Sequence, residues 1–125
     1  HCGLICDAAM PSYLMTHWVR DRTRGPRLGL EQAIKYQTRD TALSYGLGDR
    51  GLLAEGLKAD VNIMNLEQMR LKPPHMVADL PAKGQRLVQE VDGYLATVSG
   101  GQITYRNGQA TGAMPGKLIR GPRVA

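Results

Sequence analysis

Along the first part of the chain the apolar positions recur at helical spacing; further on they alternate. Leu14 and Trp18, with Met15 and Val19, form two i, i+4 pairs on one face. Pro11 suits the first turn of that helix, because its missing N–H would be unpaired there anyway. Arg20, Arg22 and Arg24 crowd the last turn, where cations complement the negative end of the helix dipole. Gly25-Pro26 then stops it, so the pattern predicts a helix over 11–24. Leu30, Ala33, Ile34 and Gln37 sketch a second, shorter face after Gly29. Thr38 or Asp40 offers a cap for a third piece through Ala42, Leu43 and Tyr45, which Gly46 ends.

The period then changes. Val61 and Ile63 point one way and Asn62 and Met64 the other, the period-2 sign of a strand. MRLKPPHMVADLP (69–81) reads as an irregular excursion, since Pro73-Pro74 cannot sit inside a ladder. Within it His75 is expected on a surface loop. RLVQEVDGYLATVSGGQITYRNGQATG carries the hairpin signal, with Gly100-Gly101 as a two-residue turn. That register sets Val98 against Ile103 and Ala96 against Tyr105 on one face, and Thr97 against Thr104 on the other. Asn107-Gly108 supplies a second turn, and GKLIRG suggests a short last strand. Helices first and strands afterwards argue an α+β fold, or a piece of two domains, rather than alternating βαβ units. The division falls at 1–48 and 49–125.

Between the two regimes lies DRGLLAEGLKADVNIMN (49–65). Gly51 and Gly56 tolerate positive φ, and Leu53 between them is expected to tuck into the apolar layer. Ala59 is small enough for a strand to approach closely, and Asp60 can accept hydrogen bonds from the turn's backbone N–H groups. A catalytic carboxylate would need a histidine, a metal partner or a second acid in the same cleft, and the local sequence offers none. Asp60 therefore reads as a structural residue.

Composition changes the picture little. Apolar content of 42% and charged content of 22% are globular values. With no phenylalanine, aliphatic residues and methionine must build the core. The formal charge of +5 is scattered except for Arg20, Arg22, Arg24 and Arg27, and it lacks the basic stripe interleaved with aromatics that marks a nucleic-acid partner. No apolar run approaches the roughly 20 residues of a membrane span, and HCGLICDAAM has no basic leader or cleavage site. Two cysteines make no disulfide framework, so a reducing cytoplasm is the default compartment. The chain begins on histidine, which reads as the interior of a longer protein.

The pattern Gly51-x-Leu53-x-x-Gly56-x-x-Ala59-Asp60-Val61-x-Ile63 resembles the turn at which metal-dependent amidohydrolases leave their barrel and return to a small β-sandwich. HCGLICDAAMPSYLMTHWVRDRTRG resembles the segment after the last barrel strand in the N-acyl-D-amino-acid deacylase branch. DLPAKGQRLVQEVDGYLATVSGGQITYRNGQATGAMPGKLIRG resembles that branch's C-terminal tail. The resemblance spans nearly the whole chain. It implies a parent enzyme with a TIM-like barrel and zinc that activates water against an amide. It also implies that the helices here lie on the barrel side and that the strands belong to the accessory sandwich. The expected HxH ligand pair is absent, and the catalytic aspartate of relatives lies a few residues before a histidine matching His1. The segment alone is accordingly expected to be inactive, with no metal or cofactor of its own.

The candidate chemistry is sparse. His1, Cys2 and Cys6, with His17 as a distant fourth, have ligand character, but Cys-x-x-x-Cys lacks the spacing of a structural zinc knuckle and no second pair follows. Through the resemblance His1 would lie at the barrel mouth, within reach of substrate or a metal ligand. Asp7 would touch substrate, cap the helix near Pro11, or remain solvated, with capping favoured. The arginines of 20–27 read as solvated dipole partners, and Asp49-Arg50 as a local ion pair. The expected partner is the remainder of the parent enzyme, or a second copy through open strand edges or the Leu14/Trp18 face. A free-standing β-rich interaction module is the rival from another class. A basic nucleic-acid module, with affinity falling steeply with salt, is a third.

Overall fold

Pro11 sits in the opening turn of the first helix in the computed structural model, which describes residues 9–122. This helix, α1, begins as an α-helical turn (Met10–Tyr13) and continues as a π-helical stretch (Leu14–Asp21). The wider winding closes with the Arg22 N–H donating to the His17 carbonyl at 2.8 Å. Residues four apart no longer stack as in an α-helix, and the expected stripe is redistributed. Ser12, Met15 and Thr16 are buried, Leu14 and Val19 pack against the core, and Trp18 is left 38% exposed. The helix ends at Asp21 rather than residue 24, because Arg22 has already turned extended (φ −59°, ψ 125°).

Helix α2 is continuous where the sequence suggested two pieces. It is α-helical at Leu30–Lys35, π-helical at Tyr36–Asp40 and α-helical again at Thr41–Ser44. Neither Thr38 nor Asp40 caps a new helix. The Thr38 hydroxyl donates back to the Ile34 carbonyl at 2.8 Å, and Asp40 keeps helical dihedrals (φ −66°, ψ −41°). Gly46 ends the helix as read. Its N–H donates to Leu43 O and that of Leu47 to Ala42 O, at 2.9 and 2.8 Å, which satisfies two last-turn carbonyls.

Among the described residues eight strands follow, all paired antiparallel: β1 (Val61–Met64), β2 (Arg70–Leu71), β3 (His75–Leu80), β4 (Gly84–Val88), β5 (Val91–Asp92), β6 (Tyr94–Ser99), β7 (Gln102–Arg106) and β8 (Gln109–Ala110). They form a four-stranded sheet in the order β1-β6-β7-β8 and two ribbons, β2-β5 and β3-β4. The chain is thus α+β. Gly100-Gly101 and Asn107-Gly108 make the two tight turns.

Three sequence expectations fail here. The excursion 69–81 contains the whole of β2 and β3, because Pro73-Pro74 falls between two strands, and His75 is a strand residue. Val98 does face Ile103, but a bulge then slips the register, so Ala96 faces Arg106 and Thr97 faces Tyr105. Residues 116–121 add no strand. A second bulge separates Ile63 from Met64 and turns Met64 toward the core while Ile63 stays exposed.

The core lies on the seam between helices and strands. Met69 is fully buried, with Met15 and Ala33 beside it and Val91 and Tyr94 packed around. Gly93 allows the close crossing: it holds φ +102°, and a Cβ there would stand 2.7 Å from the Met69 Cα.

Candidate functional site

The stretch that joins helix to sheet is held by charge. Arg50 grips Asp49 through two parallel bonds, Nε–Oδ1 at 2.9 Å and Nη2–Oδ2 at 3.1 Å, and reaches Asp60 with Nη1 at 3.2 Å. The hydrogen bond from Arg50 holds the Asp49 carboxyl below its ordinary range, and Asp49 raises the guanidinium in turn. From α2, Arg39 Nη1 donates to the Gly48 and Arg50 carbonyls at 3.2 and 3.1 Å. The turn is thereby tied to the helix before it.

It is also tied to the sheet after it. Asp60 Oδ1 accepts the Gly100 N–H at 2.8 Å, and the Ala59 carbonyl accepts that of Gly101 at 3.0 Å. The backbone N–H that Asp60 accepts therefore belongs to a hairpin turn 40 residues away rather than to its own turn. Gly51 and Gly56 both hold φ +82°. Gly51 lies against α2, where a Cβ would stand 2.8 Å from the Thr38 carbonyl; around Gly56 there is open space. Leu53, expected in the apolar layer, is 86% exposed because the turn lifts it away from the core.

A groove opens beside the core, between α1 and β2. It encloses about 750 Å³, lined by Tyr13, His17, Met69, Arg70, Leu71 and Gln89 among others. Arg20 stands at its edge and is not the solvated residue the sequence suggested. It holds Asp21 through Nε at 2.6 Å and Nη2 at 2.8 Å, while Nη1 donates to the carbonyls of Leu66 and of Met69, the latter at 3.0 Å. The end of α1 is thus fastened to the turn that carries Met69. Arg22 lies 4.2 Å over the Trp18 ring, and Arg27 Nε donates to the Arg22 carbonyl at 2.9 Å, so the cluster largely serves the chain itself.

His1, Cys2, Cys6 and Asp7 lie outside the described residues. His17 stacks on Tyr13, with ring centroids 5.0 Å apart and planes 5° from parallel, and meets Trp18 edge-on. Among the described residues no group of three or more His, Cys, Asp or Glu side chains could hold a metal ion, and no helix is long and apolar enough to cross a membrane. Sequence reasoning missed Arg39 and the hub role of Arg50. The usable signal was a cation flanked by Asp49 and Asp60, which needs the two glycine turns folded to be read.

Compared with known proteins, residues 1–105 match the family model described as the amidohydrolase family. No curated protein and no solved structure matches the chain.

Proposed function

The chain belongs to the amidohydrolase family, and we propose that it is the C-terminal part of a metal-dependent enzyme of the N-acyl-D-amino-acid deacylase type, supporting a reaction centre built elsewhere. The observation that carries this reading is the surface. Among the described residues the buried apolar set is four alanines and two methionines, while seventeen large hydrophobic side chains stand exposed. The accessible area is 9188 Å², against about 6,600 Å² for a compact monomer of this mass. Such a surface suits a segment that packs on further structure.

In this reading residues 1–48 lie on the barrel side and 49–125 belong to the accessory sandwich. The Arg39–Arg50–Asp60 network fixes one part against the other. The outer edge of β1, which has only β6 as a neighbour among the described strands, would pair with strands of the remaining polypeptide. His1 and Asp7 would sit at the mouth of the barrel, touching substrate or steadying a ligand. Zinc is assigned to the whole enzyme. The described residues do not form a set that fits it.

The coding sequence upstream of His1 tests the proposal. It is expected to encode an HxH pair and an S-D-A stretch. A start codon immediately before His1 would overturn the reading and favour a free-standing interaction module.

A further inference from the structure

We infer that the groove between α1 and β2 binds a small planar carboxylate, an aryl or heteroaryl acid. Its volume of about 750 Å³ lies within the roughly 300–1,000 Å³ of small-molecule sites. Every described lining residue of the groove comes from this chain.

Three features converge. Tyr13 and His17 stack in parallel at 5.0 Å, which leaves the outer face of the nearly half-exposed Tyr13 ring open as a platform. Leu71 supplies an apolar floor beside the buried Met69. The third feature is charge. Arg70 sits opposite Asp92 in the β2-β5 register, yet Asp92 is taken by Lys72 at 3.0 Å. Among the described residues no anion pairs with the Arg70 guanidinium, which lines the groove. The acid beside it, Asp21, is already gripped by Arg20. A flat ring on Tyr13 with its carboxylate on Arg70 satisfies the apolar floor and the spare cation together, and Arg presents the fork that a carboxylate matches.

The test is a titration of the 125-residue chain with benzoate, followed by amide and side-chain NMR shifts, with benzyl alcohol as the uncharged control. Saturable shifts at Tyr13, His17 and Arg70 are expected, with binding at least tenfold weaker for benzyl alcohol and for Arg70→Gln. Tyr13→Leu, a second exposed change that leaves the charge intact, is expected to weaken binding at least fivefold. Shifts that do not saturate, that map elsewhere, or that are equal for benzoate and benzyl alcohol would overturn the inference. So would wild-type affinity in both folded variants.

Discussion

The carboxylate of Asp60 accepts the backbone N–H of Gly100 at 2.8 Å, and by this bond the turn after the helices holds the tip of the β6-β7 hairpin. Its other oxygen meets Arg50 at 3.2 Å. Removing the side chain leaves the Gly100 N–H without its acceptor and Arg50 with Asp49 alone. Asp60→Ala is expected to destabilise the chain by about 1–2 kcal/mol, the lower part of the range because the side chain is partly exposed. Asp60→Asn keeps an acceptor for Gly100 and should recover about half. Urea unfolding gives the energies, and amide exchange at Gly100 gives the site.

Gly51 and Gly56 share φ +82° but not their surroundings. Gly56→Ala meets only the backbone penalty, about 1–2 kcal/mol. Gly51→Ala adds a methyl against Ala42 and the Thr38 carbonyl and is expected to cost at least ~1 kcal/mol more. Equal losses in denaturant titration would show that α2 does not press on the turn.

Arg20 bonds the carbonyls of Leu66 and Met69 while its other nitrogens hold Asp21. Lysine cannot reproduce that fork. Arg20→Lys should therefore lose most of what Arg20→Ala loses, about 1–3 kcal/mol, with faster exchange of amides around Met69. A lysine variant as stable as the parent would show that charge alone suffices.

Three carboxyls are held below the ordinary aspartate value of 3.8 by hydrogen bonds from neighbouring arginines: Asp21 by Arg20, Asp49 by Arg50 and Asp79 by Arg86. A depressed folded-state value favours the folded state above 3.8, and that contribution is lost as pH falls through the folded values. Stability is expected to be flat from neutral pH down to about 5 and to drop below about 4. Added salt should shrink the drop, because all three pairs lie near the surface. Thermal melts across pH at two ionic strengths check this.

The order of helices and strands was legible in the sequence because it rests on period and punctuation. Pro11, Gly46 and the two hairpin turns each act locally, and each ends or bends the chain where read. What escaped depends on partners far along the chain. The winding of α1 moved Trp18 off the buried face; the bulges beside Val98 and Met64 altered register without a glycine to announce them. In the candidate site the glycines and Asp60 were visible as residue types, but Arg39, Arg50 and Arg20 act on backbone carbonyls and carboxylates that only the fold brings near. Leu53 misled because an apolar residue between two turns looks buried until the turns lift it outward.

The assignment of this chain to supporting structure is tested most directly by catalysis. The purified 125-residue chain, supplied with zinc, is incubated with an N-acetyl-D-amino acid, and release of free amine is followed beside a longer polypeptide extended upstream to include the proposed HxH pair. No release above the blank is expected from the segment, with turnover confined to the longer chain. Turnover by the segment alone, abolished by a chelator, would contradict the account.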